Sequence, residues 1–186
     1  MRKEVLIGGF GGQGVILSSV ILGRAAAVYE GLYSVQTQSY GPESRGGASK
    51  AEVIISDDLI DYPKALNPDY AILLSQQAYE KYLSLVKEGG IVIVEKDLIP
   101  NRNEELEKNF KVYVLPFTKL AEESTGLSLT MNILTLGFLV RLTGIVSEEA
   151  IEKAVLDSIP KGTEHLNLKA LKKGFELGEK ALKGEL

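Results

Sequence analysis

The sequence predicts an α/β fold, a doubly wound and mostly parallel sheet with a helical C-terminal third, and three observations carry that prediction. Short apolar runs alternate with stretches of helical periodicity through the first two thirds of the chain. One run, residues 91–94, is apolar at every position, which suits a parallel strand covered on both faces. After Pro116 the strand signals stop, and apolar residues recur at helical spacing to the end.

The elements follow in order. Residues 5–7 form a short apolar run ending in Gly8 and Gly9, and apolar positions from Val15 to Ala27 then recur as in a helix. Gly31 ends that helix, and residues 33–38, rich in β-branched and aromatic side chains, read as the second strand. Residues 51–56 read as a third strand closed by a turn or helix-cap signal at Asp57 and Asp58, with Pro63 and Pro68 bracketing the connection that follows. Strands at 70–74, 91–94 and 111–115 flank an amphipathic helix at 76–86 that Gly89 and Gly90 terminate. Helices are predicted over 117–124, 130–142, 148–157 and 166–182, with Ser147 as an N-cap.

The chain has 186 residues, 45% hydrophobic and 25% charged, with a net charge of -4. That length favours one domain over 1–186, its sheet core at 1–115 and a helical part at 116–186 packed on it. A phosphate-tracking protein needs a basic face, but the lysines here interleave with glutamates, so nucleic acid is disfavoured as a partner. The cluster Lys169, Lys172 and Lys173 reads as a solvated helix face. The absence of cysteine excludes disulfides and cysteine-ligated iron–sulfur clusters from this polypeptide. His165, the only histidine, sits beside Glu164 near a helix start, where a surface or capping role outweighs catalysis. Tyr70, Tyr79 and Tyr82 read as core and boundary residues rather than a stacking platform. No secretory signal is visible, and residues 127–146, interrupted by Asn132, Thr135 and Arg141, resemble a buried helix more than a membrane span. Cytoplasmic residence with no membrane partner is the expectation. For Asn132 two roles stand, satisfying a buried backbone group or touching a partner.

Gly9-Phe10-Gly11-Gly12-Gln13-Gly14 matches the G-x-G-x-x-G spacing between a predicted strand and a predicted helix, the opening of a Rossmann-like unit. Glycines let backbone N–H groups approach a phosphate, and the helix N-terminus adds partial positive charge. The same glycines also serve a tight turn that binds nothing. A dinucleotide site wants an acidic residue about 20 positions on, at the end of the second strand. That region is Ser34-Val35-Gln36-Thr37-Gln38, and Glu30 precedes the strand, so anion binding survives while nicotinamide specificity does not.

A second loop, Gln38-Ser39-Tyr40-Gly41-Pro42-Glu43-Ser44-Arg45-Gly46-Gly47, follows the second strand and should lie beside the first at the strands' C-terminal edge, where open α/β sheets bind ligands. Arg45 offers a planar fork for a carboxylate or phosphate. Glu43 either orients Arg45 or pairs with it to pin the loop.

The two loops together strongly resemble those of the gamma subunits and gamma domains of the 2-oxoacid:ferredoxin oxidoreductases, with weaker matches at 132–137 and 167–174. Phe10, and the Ser-Tyr-Gly-Pro-Glu-Ser-Arg-Gly-Gly run, look more like the 2-oxoglutarate branch. The resemblance implies oxidative decarboxylation of a 2-oxoacid to an acyl-CoA, with electrons passing to ferredoxin. It implies alpha, beta and delta partner subunits that hold thiamine diphosphate and the iron–sulfur clusters. This chain has no cysteine, and no Gly-Asp-Gly with a following Asn-Asn pair of the kind that marks a thiamine diphosphate site. The gamma part is implicated in receiving coenzyme A. Gly11, Gly12 and Gly14 would offer backbone donors, Gln13 an amide and Arg45 a charge, with Gly9 in the first loop and Tyr40, Gly41, Glu43, Ser44, Gly46 and Gly47 in the second as further cofactor-binding residues. Two rivals remain, a stand-alone nicotinamide-binding oxidoreductase and a structural interaction subunit with no ligand.

Overall fold

The computed structural model describes residues 1–39, 48–65 and 67–186. Six strands form one sheet: β1 (Arg2–Gly9), β2 (Tyr33–Gln38), β3 (Ser49–Ser56), β4 (Tyr70–Leu73), β5 (Ile91–Glu95) and β6 (Lys111–Leu115). Their spatial order is β2-β3-β1-β4-β5-β6. β1, β4, β5 and β6 pair in parallel, whereas β3 runs antiparallel to both β1 and β2. The sheet is therefore mostly parallel, as predicted, with one reversed strand. Residues 39–48 alone separate β2 from β3, and a parallel crossover needs a dozen or more residues, so this short connection reverses the chain.

Alternating side chains divide the core. Val5, Ile7, Val53, Ile55, Ile72 and Ile93 face one layer, and Leu6, Ala71, Leu73, Val92 and Val94 face the other. The first layer holds α1 (Val15–Arg24), whose last turn widens into a π-helical segment at Ala25–Tyr29, together with α4 (Phe117–Thr125), α5 (Met131–Thr143), α6 (Glu148–Ser158) and α7 (Glu164–Leu182). The second holds α2 (Gln76–Tyr82) and the one-turn α3 (Glu104–Glu107). Within the C-terminal third, α5 is the centre: all its residues from Met131 to Val140 are buried, and Phe138 meets Phe117 and Tyr113 edge-on at centroid distances of 5.3 and 5.8 Å. Its apolar run is thus explained by protein on every side. No single helix among the described residues is long and apolar enough to cross a membrane. Ser147 caps α6 as expected, its side chain accepting a hydrogen bond from the Ala150 N–H at 3.0 Å.

α3 is not among the predicted helices, although it has a sequence-level start signal in Asn103, whose side chain accepts from the Leu106 N–H. A buried polar knot fastens it. The Tyr79 hydroxyl donates to Glu107 at 2.5 Å and accepts from the Asn103 N–H, while Arg102 donates twice to the same carboxylate. Burial and the bond to Glu107 push the Tyr79 phenol up to about 12. Burial alone would raise the Glu107 carboxyl, but the bonds from Arg102 and Tyr79 outweigh it and hold the group below the usual carboxylate range. A depressed folded value means stability that is present above the unfolded carboxylate pKa and lost as pH falls through the folded one. In urea unfolding, the advantage of the wild type over Glu107→Gln is expected to be full above about pH 4.3 and to shrink below it. An advantage that stays constant from neutrality into acid would mean that the carboxylate charge does not fasten this knot.

Candidate functional site at the C-terminal edge of the sheet

The glycine loop leaves β1 at Gly9 and enters α1 at Gly14, so the predicted strand, loop and helix are present. Gly14, the N-cap, has φ 74°, and a Cβ there would lie 2.3 Å from Nδ2 of the buried Asn132. Two constraints, left-handed backbone and contact with α5, thus demand glycine at that position. Asn132 packs directly against the loop and seats the start of α1 on the start of α5.

Gln13 is turned inward. Its Oε1 accepts from the Phe10 N–H at 2.8 Å, and its Nε2 donates to the Leu74 carbonyl at 2.8 Å, tying the loop to the end of β4. The expectation of an amide displayed to a ligand is corrected accordingly: Gln13 shapes the loop. Gly9 belongs to the same fastening, since a Cβ there would collide with Gln13 Oε1 at 2.4 Å.

Gly11 and Gly12 are different. A Cβ at either would meet nothing within 4 Å, and Gly12 has φ 93°. No hydrogen bond within the described residues takes up the amide N–H of Gly11, Gly12 or Gly14. The start of α1 has no side-chain cap and no acidic residue in its first turn, so its partial positive charge is unopposed within the helix. This arrangement can hold an anion.

Tyr40, Gly41, Glu43, Ser44, Arg45, Gly46 and Gly47 lie outside the described residues. The chain on either side of them reaches the same edge. The Ser39 N–H donates to the Lys50 carbonyl, Lys50 is the partner of Gly8, and the Ser49 hydroxyl donates to the Gly9 carbonyl at 3.1 Å. Glu30 is at the other edge, before β2, where its carboxylate accepts from the Ser147 N–H at 2.6 Å. It is not placed to hold a ribose.

Next to the loop, a cavity of about 260 Å³ opens between Phe10, Gly12, Leu98, Thr118, Leu129 and Met131. Thr118 on its lining is held by Glu95, wholly buried at the end of β5, whose carboxylate accepts from the N–H and hydroxyl of Thr118 at 2.6 and 2.7 Å and from the Asp97 N–H at 3.0 Å. Glu95 is not among the predicted site residues; its one signal in the sequence is a carboxylate ending an otherwise apolar strand. A larger cleft of about 470 Å³ beside Glu30 and Arg141 is a poorer candidate, because Arg141 is already engaged by Glu148 and Glu179.

Residues 4–177 match the family model described as pyruvate ferredoxin/flavodoxin oxidoreductase. The chain is 56% identical over 179 residues to the KorC subunit of 2-oxoglutarate synthase from Methanocaldococcus jannaschii, covering 96% of this chain and 95% of that one. It is similar to the crystal structure of a keto/oxoacid ferredoxin oxidoreductase gamma subunit from Geobacter sulfurreducens, with a TM-score of 0.88, 42% identity, and 97% and 98% of the two chains covered. At 22% identity and a TM-score of 0.83 it shares its fold with a 2-oxoglutarate:ferredoxin oxidoreductase from Magnetococcus marinus, solved with 2-oxoglutarate, coenzyme A and succinyl-CoA bound. There 96% of this chain matches 31% of the longer one. With the family model spanning nearly its whole length and a relative of this identity matched end to end, the chain belongs to the pyruvate ferredoxin/flavodoxin oxidoreductase family.

Proposed function

We propose that this chain is the gamma subunit of a 2-oxoglutarate:ferredoxin oxidoreductase and that its glycine loop seats the phosphate-bearing part of coenzyme A. The assignment to a gamma subunit follows from full-length relatives named 2-oxoglutarate synthase subunits and from the gamma-subunit structure it matches. The reaction converts a 2-oxoacid, coenzyme A and oxidised ferredoxin into an acyl-CoA, carbon dioxide and reduced ferredoxin. Thiamine diphosphate, held by partner subunits, supplies the decarboxylation chemistry, and iron–sulfur clusters in those subunits carry the electrons. This chain has no cysteine with which to ligate a cluster. Its part is to bind and orient.

The observation that carries the coenzyme A reading is the set of unengaged amide N–H groups at Gly11, Gly12 and Gly14 on the uncapped start of α1, with open space beside Gly11 and Gly12. Such a set fits a phosphate. Gln13 and Asn132 hold that shape, and Arg45, in the segment whose two flanks reach this edge, brings a second source of positive charge. The adjoining 260 Å³ cavity, lined by Phe10, Leu98, Leu129 and Met131, is suited to a less polar part of the same ligand.

Gly11→Leu is a clean test, because a side chain there enters open space and covers the amides without straining the loop. In the assembled complex, Gly11→Leu and Arg45→Ala are each expected to weaken coenzyme A binding about tenfold or more, the loss of one or two charge-assisted hydrogen bonds. Equilibrium titration measures it. Wild-type affinity in both variants would reduce the loops to interface scaffolding.

A further inference from the structure

Asn132 is only 5% exposed, yet among the described residues no hydrogen bond involves its side-chain amide. The bond it does make, from the Thr135 hydroxyl at 2.8 Å, goes to its main-chain carbonyl. Of the two roles the sequence left open, satisfying a buried backbone group is therefore ruled out. A buried amide without partners carries a desolvation cost, so its presence calls for a reason.

The direction of the side chain supplies one. Measured from the position of a Cβ on Gly14, the Cβ, Cγ and Nδ2 of Asn132 lie at 3.2, 2.8 and 2.3 Å, so the side chain runs toward the glycine loop with its nitrogen leading. An amide nitrogen only donates. It joins the N–H groups of Gly11, Gly12 and Gly14, none of them engaged within the described residues, in a cluster of donors that cannot satisfy one another. The start of α5 adds to this. Its N-cap, Thr130, provides no side-chain cap and its first turn holds no acidic residue, the same condition as at the start of α1. Contact between Gly14 and Asn132 thus brings two helix N-termini together, and their partial positive charges add. The Glu95 carboxylate, bonded to Thr118 on the nearby cavity lining, is already met by three donors.

We propose that Asn132 is a ligand-binding residue, its amide nitrogen donating to the diphosphate of coenzyme A together with the loop amides. This rests on the coenzyme A reading above and deepens it by naming the residue and the group held. A diphosphate carries two charges and several acceptor oxygens, which matches a corner where two helix starts and a side-chain donor converge. Connectivity favours the diphosphate over the 3′-phosphate. Gly12 and Gln13 line the apolar cavity along with Met131, the residue before Asn132, so the donors and the cavity adjoin. In coenzyme A the diphosphate is bonded directly to the pantetheine arm, whereas the 3′-phosphate lies beyond the ribose. The phosphates next to the arm are the ones this corner holds when the arm enters the cavity.

The test is an equilibrium titration of the assembled complex with coenzyme A and with dephospho-coenzyme A, which lacks the 3′-phosphate. Asn132→Leu keeps the approximate shape of the side chain without its donor and is expected to weaken both ligands about tenfold, the loss of one charge-assisted hydrogen bond. Asn132→Asp places a carboxylate among the same donors, where it competes with the phosphates and repels them, and is expected to weaken both about 100-fold or more. An acid in the first turn of α5 complements the helix dipole, so this variant is expected to keep the wild-type circular dichroism spectrum and carries the test if Asn132→Leu folds poorly. Wild-type affinity in Asn132→Asp would overturn the proposal, as would a loss seen with coenzyme A alone, which would give the amide to the 3′-phosphate. An equal loss for pantetheine, an acyl acceptor with no phosphate, would also overturn it and reduce Asn132 to a spacer that shapes the cavity. Gly11→Leu separates the two readings: weakened binding there with wild-type binding in Asn132→Asp keeps the coenzyme A reading and removes this one, whereas the converse keeps the amide and removes the loop.

Discussion

Gly174→Ala is expected to destabilise the chain by about 2 kcal/mol, even though alanine is the better helix former. A Cβ at Gly174 would lie 2.1 Å from the Leu134 carbonyl oxygen, 2.8 Å from the Phe138 nitrogen and 3.0 Å from the Gly137 Cα. All three are backbone atoms of α5, so no side chain can turn aside, and α7 must lift away from the most buried helix of the molecule. Gly137 reciprocates, since a Cβ there would lie 2.4 Å from the Leu171 carbonyl oxygen. Two effects compete. The propensity gain is about 1 kcal/mol, whereas overpacking that only backbone displacement relieves reaches about 3 kcal/mol. Gly23→Ala is the matched control within α1, where the added carbon meets only the Ser34 hydroxyl at 3.0 Å and ordinary contacts beyond it. That variant is expected to be neutral or slightly stabilising. Denaturant midpoints of the two measure the contrast, and a Gly174→Ala protein as stable as the wild type would show that α5 and α7 are not in close register at this crossing.

Glu95→Ala is expected to cost about 3 kcal/mol, and more than Glu95→Gln. The carboxylate is inaccessible to water and accepts from three donors, two of them on Thr118 in the first turn of α4. The helix has Pro116 at its N-cap and no side-chain cap of its own, so Glu95 supplies from β5 what the local sequence lacks. Alanine leaves the donors on half-buried Thr118 and exposed Asp97 without their acceptor, whereas glutamine keeps one oxygen as an acceptor. Thr118 also lines the cavity beside the glycine loop, so the Ala variant is expected to lower coenzyme A affinity in the complex as well. Unfolding free energies within about 1 kcal/mol of wild type would remove the capping role.

The legible parts of this protein are those in which local physics and tertiary context agree. The strands at 33–38, 70–74, 91–94 and 111–115 and the helices after Pro116 lie within a few residues of their predicted bounds, because their periodicity is the same burial pattern that the folded layers impose. Tyr79 and Tyr82 are core residues, as read. The loop 9–14 was legible because glycine at φ 93° and 74° answers a backbone demand that the spacing already announces. The direction of β3 was not, since alternating side chains mark a strand without saying which way it runs, although a connection too short for a crossover helix was a usable clue. Gln13 looked like a donor for a ligand because a sequence cannot show that Leu74 and Phe10 have claimed its amide.

By itself the sequence determined the layered α/β architecture, the glycine turn between β1 and α1, the lack of any cysteine to hold a cluster, and the two loops by which the family is recognised. Those are matters of residue type and spacing. Only the tertiary structure decided that Asn132 seats Gly14, that Glu95 caps α4, and that Gly137 and Gly174 let two helices touch. The reason is physical: each depends on atoms brought within a few ångströms from segments far apart along the chain, and only the packed backbone sets those distances.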